Sequence, residues 1–428
     1  MKRVRLGDVA NVEISGIDKK TKQGEKSVKL CNFVDVYYNW AITKNMYDGL
    51  MIASASDNDI ELFSLRKGQV AITKDSETRD DIGVAAYIAD DFDDVVLGYH
   101  CALITPKNDI PEEDKIYGKY LNALLHTKYA QKHFSNNATG SGQRYTLSKE
   151  AIENMILFLP SPKEQERLGN YLSDIDHKIE LNNLITNKLE DLTKLIYNYW
   201  FVQYDFPNKE GKPYKSSRGK MVWNETLKQE IPEGWSDDTI DNLTNINDAS
   251  LTNEDLLKTI DYLDTSNLNR NCIGETISYD RNSRPIRAQR KVKDKTILFS
   301  TVRPALGHYG ILLNPPSDII VSTGFATLDA KDKNDAFRIY MFLTSDCIVE
   351  FLAKLADTAV TSYPSINPSD IGSLSIVVPP PMVVNSFNNI IEDSFNIISK
   401  NTIQIKHLQS LRDYLLPLLM NGQVTIKD

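Results

Sequence analysis

The chain repeats itself, and nothing else limits its fold as tightly. Tyr145, Leu147, Ile152 and Pro160 lead into a long run with helical apolar spacing, and Tyr363, Ile366, Ile371 and Pro379 lead into another. From Leu147 and Ile366 onward the two series keep one offset of 219 residues. Earlier landmarks repeat with a drifting offset, as expected when loops change length. Gly98-Tyr99-His100-Cys101-Ala102-Leu103 answers to Ser322-Thr323-Gly324-Phe325-Ala326-Thr327-Leu328, and the run from Lys67 to Thr73 answers to the run from Asp294 to Ser300. A period this long marks a duplicated domain, since solenoid units span some 20–50 residues. Two copies in one chain predict a pseudo-twofold object, suited to a target with two halves.

At 428 residues the chain has room for two or three domains, each with its own core. The pattern divides it into a first mixed α/β domain over 1–160, a long helix over 161–201, a linker over 202–234, a second such domain over 235–378, and a second long helix with a tail over 379–428. In the first domain Val70–Thr73 and Cys101–Thr105 read as strands, and Ile116–Phe134 reads as one helix. Ser161 is placed as an N-cap, with Pro162 in the first turn and Glu164 completing a capping box. Leu168, Leu172, Ile175 and Ile179 step like a coiled-coil seam, and the phase breaks near Asn182 before Ile185, Leu189, Leu192, Ile196 and Tyr199. The second stripe runs through Phe387, Ile391, Phe395, Ile398, Ile405, Leu408 and Leu415, with Pro417 as its expected end. Helices of roughly 55–60 Å outrun a domain of about 150 residues. The predicted class is therefore α+β: two similar domains built on twisted sheets, joined by a long antiparallel two-helix coiled coil.

The net charge of −9 opposes nucleic-acid binding only on average. Between Arg281 and Arg303 stand eight basic residues and one acid, Asp294, while acidic clusters lie elsewhere, as at Asp90–Asp94. Such a basic run is either a solvated loop or an electrostatic footprint. Apolar runs are too short for a membrane span, Met1–Asp8 lacks the apolar core of a signal peptide, and the four cysteines form no CxxC pair. A reducing cytoplasm is the expected location.

Catalytic patterns are missing. The sequence has neither a phosphate-binding GxxxxGK[ST] loop nor a dinucleotide fingerprint, and its six histidines show no paired spacing. Asn314-Pro315-Pro316-Ser317 lacks the aromatic residue of an amino-methyltransferase loop and reads as a turn, and Glu113-Asp114-Lys115 reads as an acidic loop rather than a nuclease element. The chain is expected to bind and position, with no catalytic, cofactor or metal residues of its own.

Several ordered motifs give a family resemblance. Gly140-Ser141-Gly142-Gln143-Arg144-Tyr145-Thr146-Leu147-Ser148 leads to Leu159-Pro160-Ser161-Pro162-Lys163-Glu164-Gln165. Phe206-Pro207 and Gly211-Lys212-Pro213-Tyr214-Lys215-Ser216-Ser217 lead to Ile231-Pro232-Glu233-Gly234-Trp235, and Val4-Arg5-Leu6-Gly7-Asp8-Val9 opens the chain. In this order, and covering nearly the whole chain, they resemble the specificity subunit of type I restriction–modification enzymes. The second junction, Pro379-Pro380-Pro381-Met382-Val383-Val384, departs from the pattern by lacking the Glu-Gln pair.

The resemblance implies a non-catalytic, bipartite reader of double-stranded DNA. Each copy would be a target-recognition domain and the helix pair a ruler for the unspecified spacer. Two modification subunits would bring S-adenosylmethionine for adenine methylation, and two restriction subunits would bring ATP and Mg. The helices would dock the partners through Leu168, Leu172, Ile175, Ile179, Leu189, Leu192, Ile391, Phe395, Ile398 and Leu408. Base readers do not carry over from a family whose recognition domains differ by target. Side-chain chemistry instead points to Lys74, Arg79, Gln143, Arg144 and Tyr145 in the first copy, and to Arg281, Arg284, Arg287, Arg290, Lys291, Arg303 and Tyr363 in the second. The alternatives are the specificity subunit of a two-component system in which one partner both cuts and methylates, a scaffold that no longer reads DNA, and a methyltransferase in its own right. The last is disfavoured by the missing cofactor motif.

Overall fold

The computed structural model describes residues 2–142, 144–252, 254–358 and 364–426. It divides into two compact units. The first comprises Met1–Leu181 with Ile405–Asp428, and the second comprises Asn182–Gln404.

In the first unit a five-stranded sheet has the spatial order Ala10–Ile14, Cys101–Pro106, Val70–Thr73, Ala85–Ile88, Ala41–Ile42. The central strands are buried on both faces, which is why they read as unbroken apolar runs rather than alternating ones. A three-stranded sheet, Met51–Ala55, Lys26–Cys31 and Val95–Leu97, carries a parallel pair between its last two members. Lys2–Arg5 pairs with Ile156–Leu159, so the chain start lies beside the strand that feeds the long helix.

The second unit repeats this order. Ser236–Thr239 pairs with Ser375–Val378, and Thr244–Ile246, Phe325–Ala330, Ile297–Ser300 and Tyr309–Ile311 form the counterpart sheet. Thr259–Leu263 and Ile319–Ser322 form the counterpart parallel pair.

The helix expected over 116–134 is two helices, Gly118–Leu125 and Lys128–Asn137. Thr127 divides them, since its hydroxyl donates to the Leu124 carbonyl and accepts from the Ala130 amide, capping the second helix. The equivalent pair in the second unit is Ala336–Leu343 and Asp346–Asp357.

The long helices run Pro162–Tyr197 and Pro381–Met420. Ser161 supplies the carbonyl that takes the first helical bonds, from the Glu164 and Gln165 amides. Pro417 lies inside the second helix instead of ending it. It stands in the last turn, where its ring disturbs little that follows.

Each unit's core takes the beginning of one long helix and the end of the other. In the first, Leu168 and Leu172 share a cluster with Leu416 and Leu419. In the second, Phe387, Ile391 and Phe395 share one with Tyr197, Trp200 and Phe201. Within the second unit the helical segments are antiparallel and meet at a polar layer. Asn182 donates to the Gln404 side chain at 3.0 Å, and the Asn401 amide reaches the Asn182 carbonyl and Thr186. The phase break in the apolar pattern at Asn182 is this layer. Asn182 and Asn401 are equivalent residues of the repeat, 219 apart, in contact with each other.

Segment 202–234 is built into the second unit. Phe206 stacks between Tyr214 and Trp235, at centroid distances of 4.7 and 4.8 Å, and Asp205 accepts from the Ser216 amide and hydroxyl. Its Gly, Pro and Lys content produces a turn and the hairpin Met221–Asn224 with Gln229–Pro232.

Candidate nucleic-acid interface

In the first unit the central strand Val70–Thr73 runs on past Lys74 into a small second sheet, where Asp75–Ser76 pairs with Arg144–Thr146. Two backbone bonds fix this crossing. The Lys74 amide donates to the His100 carbonyl at 2.9 Å, and the Leu147 amide donates to the Lys74 carbonyl at 2.8 Å.

Three nitrogens converge on the buried Asp75 carboxylate: Lys74 Nζ at 2.9 Å, His100 Nδ1 at 2.7 Å and Arg144 Nη2 at 3.3 Å. Burial alone would raise this carboxyl. Hydrogen bonds from His100, Lys74 and Thr146 outweigh burial and hold it well below the ordinary carboxylate range, so it is anionic. Arg144 remains largely exposed, while Arg79 lies over the Tyr145 ring at 5.4 Å. Gln143 lies outside the described residues.

Beside the cluster opens a cleft of about 550 Å³, lined by Phe33, Val34, Tyr37 and Tyr38 together with Asp75, Glu77, Asp81, His100 and Arg144. Tyr38 and Val34 are exposed, and Tyr37 donates to Asp81 at 2.7 Å. The structure thus brings Lys74 and Arg144 together, and Arg79 with Tyr145. The residues that organise them, Asp75 and His100, were not among the candidates. Aligning the copies offers the signal that finds them: Asp75 and His100 stand where the second copy has Val302 and Gly324.

The second unit keeps the backbone frame and changes the side chains. The Thr301 amide donates to the Gly324 carbonyl at 2.9 Å, and the Ile366 amide donates to the Thr301 carbonyl at 2.9 Å. Arg303 follows, exposed and left-handed at φ 47°, with its amide on the Pro364 carbonyl. Tyr363 lies outside the described residues.

The basic run divides into structural and open members. Arg290 reaches the Asn247 carbonyl and the Ser250 hydroxyl, both at 3.3 Å, and Lys291 pairs with Asp255 at 2.5 Å. Arg284 closes its own loop on the Arg281 and Ala288 carbonyls, and Arg281 donates to the Thr252 carbonyl. Arg287 is exposed at the rim of a second cleft, of about 460 Å³, where Ile286 is 88% exposed and Asn267, Ser266 and Tyr279 form part of the wall.

The apolar stripe residues of the long helices differ in exposure. Leu168, Leu172, Ile175, Ile179, Ile391, Phe395 and Ile398 are buried, Leu168 and Leu172 in the first unit's core and Ile391 and Phe395 in the second's, and Leu189 and Leu408 are half-buried. Leu192 is exposed, as are Ile185 and Leu195 on the same helix and Tyr199 just after it. Spacing alone does not tell the packed side from the open one, since Ile185 and Leu192 keep it and are exposed. Among the described residues no group of His, Cys, Asp and Glu is arranged to hold a metal ion, and no helix is long and apolar enough to cross a membrane.

Comparison with known proteins shows what this chain is similar to. Residues 1–191 match the family model described as the type I restriction modification DNA specificity domain. The chain is 24% identical over 330 residues to the type I restriction enzyme MjaIX specificity subunit of Methanocaldococcus jannaschii, covering 75% of this chain and 72% of that one. It is 20% identical over 415 residues to the HindI specificity subunit of Haemophilus influenzae, covering 84% and 87%. Among solved structures, the S subunit of a type I restriction-modification system from M. genitalium aligns over 98% of this chain and 95% of that one, with a TM-score of 0.58 at 13% identity. That likeness is one of fold.

Proposed function

We propose that the chain is a specificity subunit of a type I restriction–modification system, as its similarity to such subunits supports, and that it reads a split, asymmetric DNA site, one half with each unit. Its part is recognition, and the chemistry belongs to partner chains. One observation carries the reading: two copies share a backbone frame at the sheet edge, bond for bond, yet present different side chains on it. A frame repeated with its chemistry exchanged is what two unlike half-sites require.

The first unit offers Lys74, Arg79, Arg144 and Tyr145, and the second offers Arg287 and Arg303 with the looser members of the basic run. The long helices, of 36 and 40 residues, fix the unspecified spacer between the halves. Two modification subunits, carrying S-adenosylmethionine, dock on exposed helix residues such as Ile185, Leu192 and Leu195, and restriction subunits supply ATP and Mg. Partners also complete the grip on DNA, which suits a chain of net charge −9.

The test is to co-express the chain with its modification subunit and map N6-methyladenine in the host DNA. A split motif that disappears on deletion of this chain is expected. An assembled complex that leaves no methylated motif would instead leave only a scaffold role.

A further inference from the structure

We propose that Arg144, held against Asp75, is the side chain with which the first unit reads a guanine in its half of the site. The inference rests on the DNA-recognition reading above and carries it to one residue and one base.

Asp75 is 8% exposed and is anchored by Lys74 and His100 independently of Arg144. It is therefore a fixed acceptor before DNA arrives. Arg144 places Nη2 at 3.3 Å from that carboxylate and 3.2 Å from His100 Nδ1, while its side chain stays 64% exposed. One edge of the guanidinium is thus occupied, and the other N–H groups remain for a partner in the cleft. A guanidinium so restrained loses less rotamer freedom on binding, and its planar fork matches the O6 and N7 acceptors of guanine in the major groove.

The surroundings favour a base edge over a phosphate. Glu77 and Asp81 line the same cleft and repel the backbone, whereas a carboxylate there accepts from the N4 amino group of cytosine. The exposed Val34 and Tyr38, which also line the cleft, add apolar contact surface. In the second unit Val302 and Gly324 stand where the first has Asp75 and His100 on the same frame, so the Asp–His pair is not repeated there. The anchored guanine contact is confined to the first unit's half-site.

The experiment maps methylation by the intact complex carrying Arg144→Ala. Discrimination at one guanine–cytosine pair of one half-motif is expected to fall about 10–100-fold, the range for one bidentate contact, with the other half unchanged. A motif identical to wild type overturns the assignment, and so does relaxation confined to adenine–thymine pairs. If the alanine variant methylates nothing, Arg144→Lys decides. It keeps the cation but not the fork, so undiminished guanine preference overturns the proposal and a relaxed pair supports it. A wild-type complex with no split motif brings down the DNA-recognition reading itself, whatever Arg144 does.

Discussion

The two units solve one packing problem with different side chains. Each has an eight-residue helix, Gly118–Leu125 or Ala336–Leu343, whose third residue ties it to the strand that feeds a long helix. In the first unit the Tyr120 hydroxyl donates to the Phe158 carbonyl at 3.3 Å. In the second, Arg338 donates to the Val377 carbonyl at 2.5 Å and pairs with Asp335 through Nε and Nη2.

The long helices follow suit. Gly169, eighth in the first helix, lets it approach so closely that a Cβ there would lie 2.8 Å from the Tyr120 nitrogen. The eighth residue of the second helix is Asn388, whose amide donates to the Asn334 carbonyl. Gln165, buried, accepts from the Tyr117 amide and donates to the Lys115 and Pro160 carbonyls, and Val384 stands in its place in the second unit. The absence of the Glu-Gln pair at the second junction is thus matched by the Arg338–Asp335 and Asn388 contacts. Duplication preserved the course of the chain and left each core free to satisfy its own polar groups.

The largest expected effect separates these two ties. Arg338 is 1% exposed, and Arg338→Met leaves a nearly buried Asp335 without its cation, a loss of about 3–5 kcal/mol. Tyr120→Phe removes one neutral bond and should cost about 1 kcal/mol. Denaturant unfolding of the two variants measures both, and equal losses would contradict the difference in how the units are tied.

A second contrast lies at the fifteenth and thirty-second residues of the long helices. In the first unit these positions give Asp176 and Arg412, an ion pair at 3.1 Å, with Arg412 over the Trp40 ring and His126 stacked on it at 4.2 Å. In the second they give Phe395 and Thr193, and Thr344 stands where His126 does. Phe395 there stacks on Phe337 at 4.6 Å, and the place keeps a small cleft of about 210 Å³.

The charged version has a pH signature. Burial raises the Asp176 carboxyl to about 6 despite Arg412, and burial followed by the Arg412 charge lowers His126 to about 4. A raised carboxyl contributes stability at low pH that is lost as pH rises towards 6. A lowered imidazole contributes stability above its ordinary value of about 6.5 that is lost as pH falls towards 4. The two slopes oppose each other over the same window.

Relative to wild type, Asp176→Asn should lose stability on acidification from pH 6 to 4, and His126→Gln should gain it. Each slope is at most about 1.4 kcal/mol per pH unit. Unfolding midpoints across that range, taken as differences from wild type, provide the check. Difference curves that stay flat for both variants would show that neither group senses its burial.

Much of this was legible in the residues because it rests on periodicity and on the repeat. The buried strands at Val70–Thr73 and Cys101–Pro106, both long helices and the discontinuity at Asn182 all follow from spacing that local geometry enforces. The division of Ile116–Phe134 was not, because the apolar face continues across Thr127 and only its hydroxyl bonds mark the stop. Seam spacing likewise does not separate core from open face: Ile391 and Phe395 belong to the second unit's core, whereas Leu192 is exposed. Site residues were harder still. Lys74 and Arg144 were found as cations, but Asp75 and His100 acquire their roles only when residues 75, 100 and 144 meet across two sheets. Nothing within a few residues of Asp75 announces that meeting.

The same reasoning ranks the basic run of the second unit and yields the smallest predicted effect. Arg290 and Arg287 are three residues apart and alike in sequence, but only Arg290 is spent on internal acceptors, at Asn247 and Ser250. Arg287→Ala in the assembled complex should weaken or relax the second half-site by about 1 kcal/mol, roughly fivefold, and leave the first half intact. Arg290→Ala should instead lower the unfolding midpoint of the chain without relaxing either half-motif, because its guanidinium holds Asn247 and Ser250 rather than facing outward. Methylation mapping and denaturation of both variants separate the two roles. Equal loss at both half-sites for Arg287→Ala would mean that it steers the whole complex by charge, and the basic run would then be a general electrostatic surface rather than one unit's reading edge.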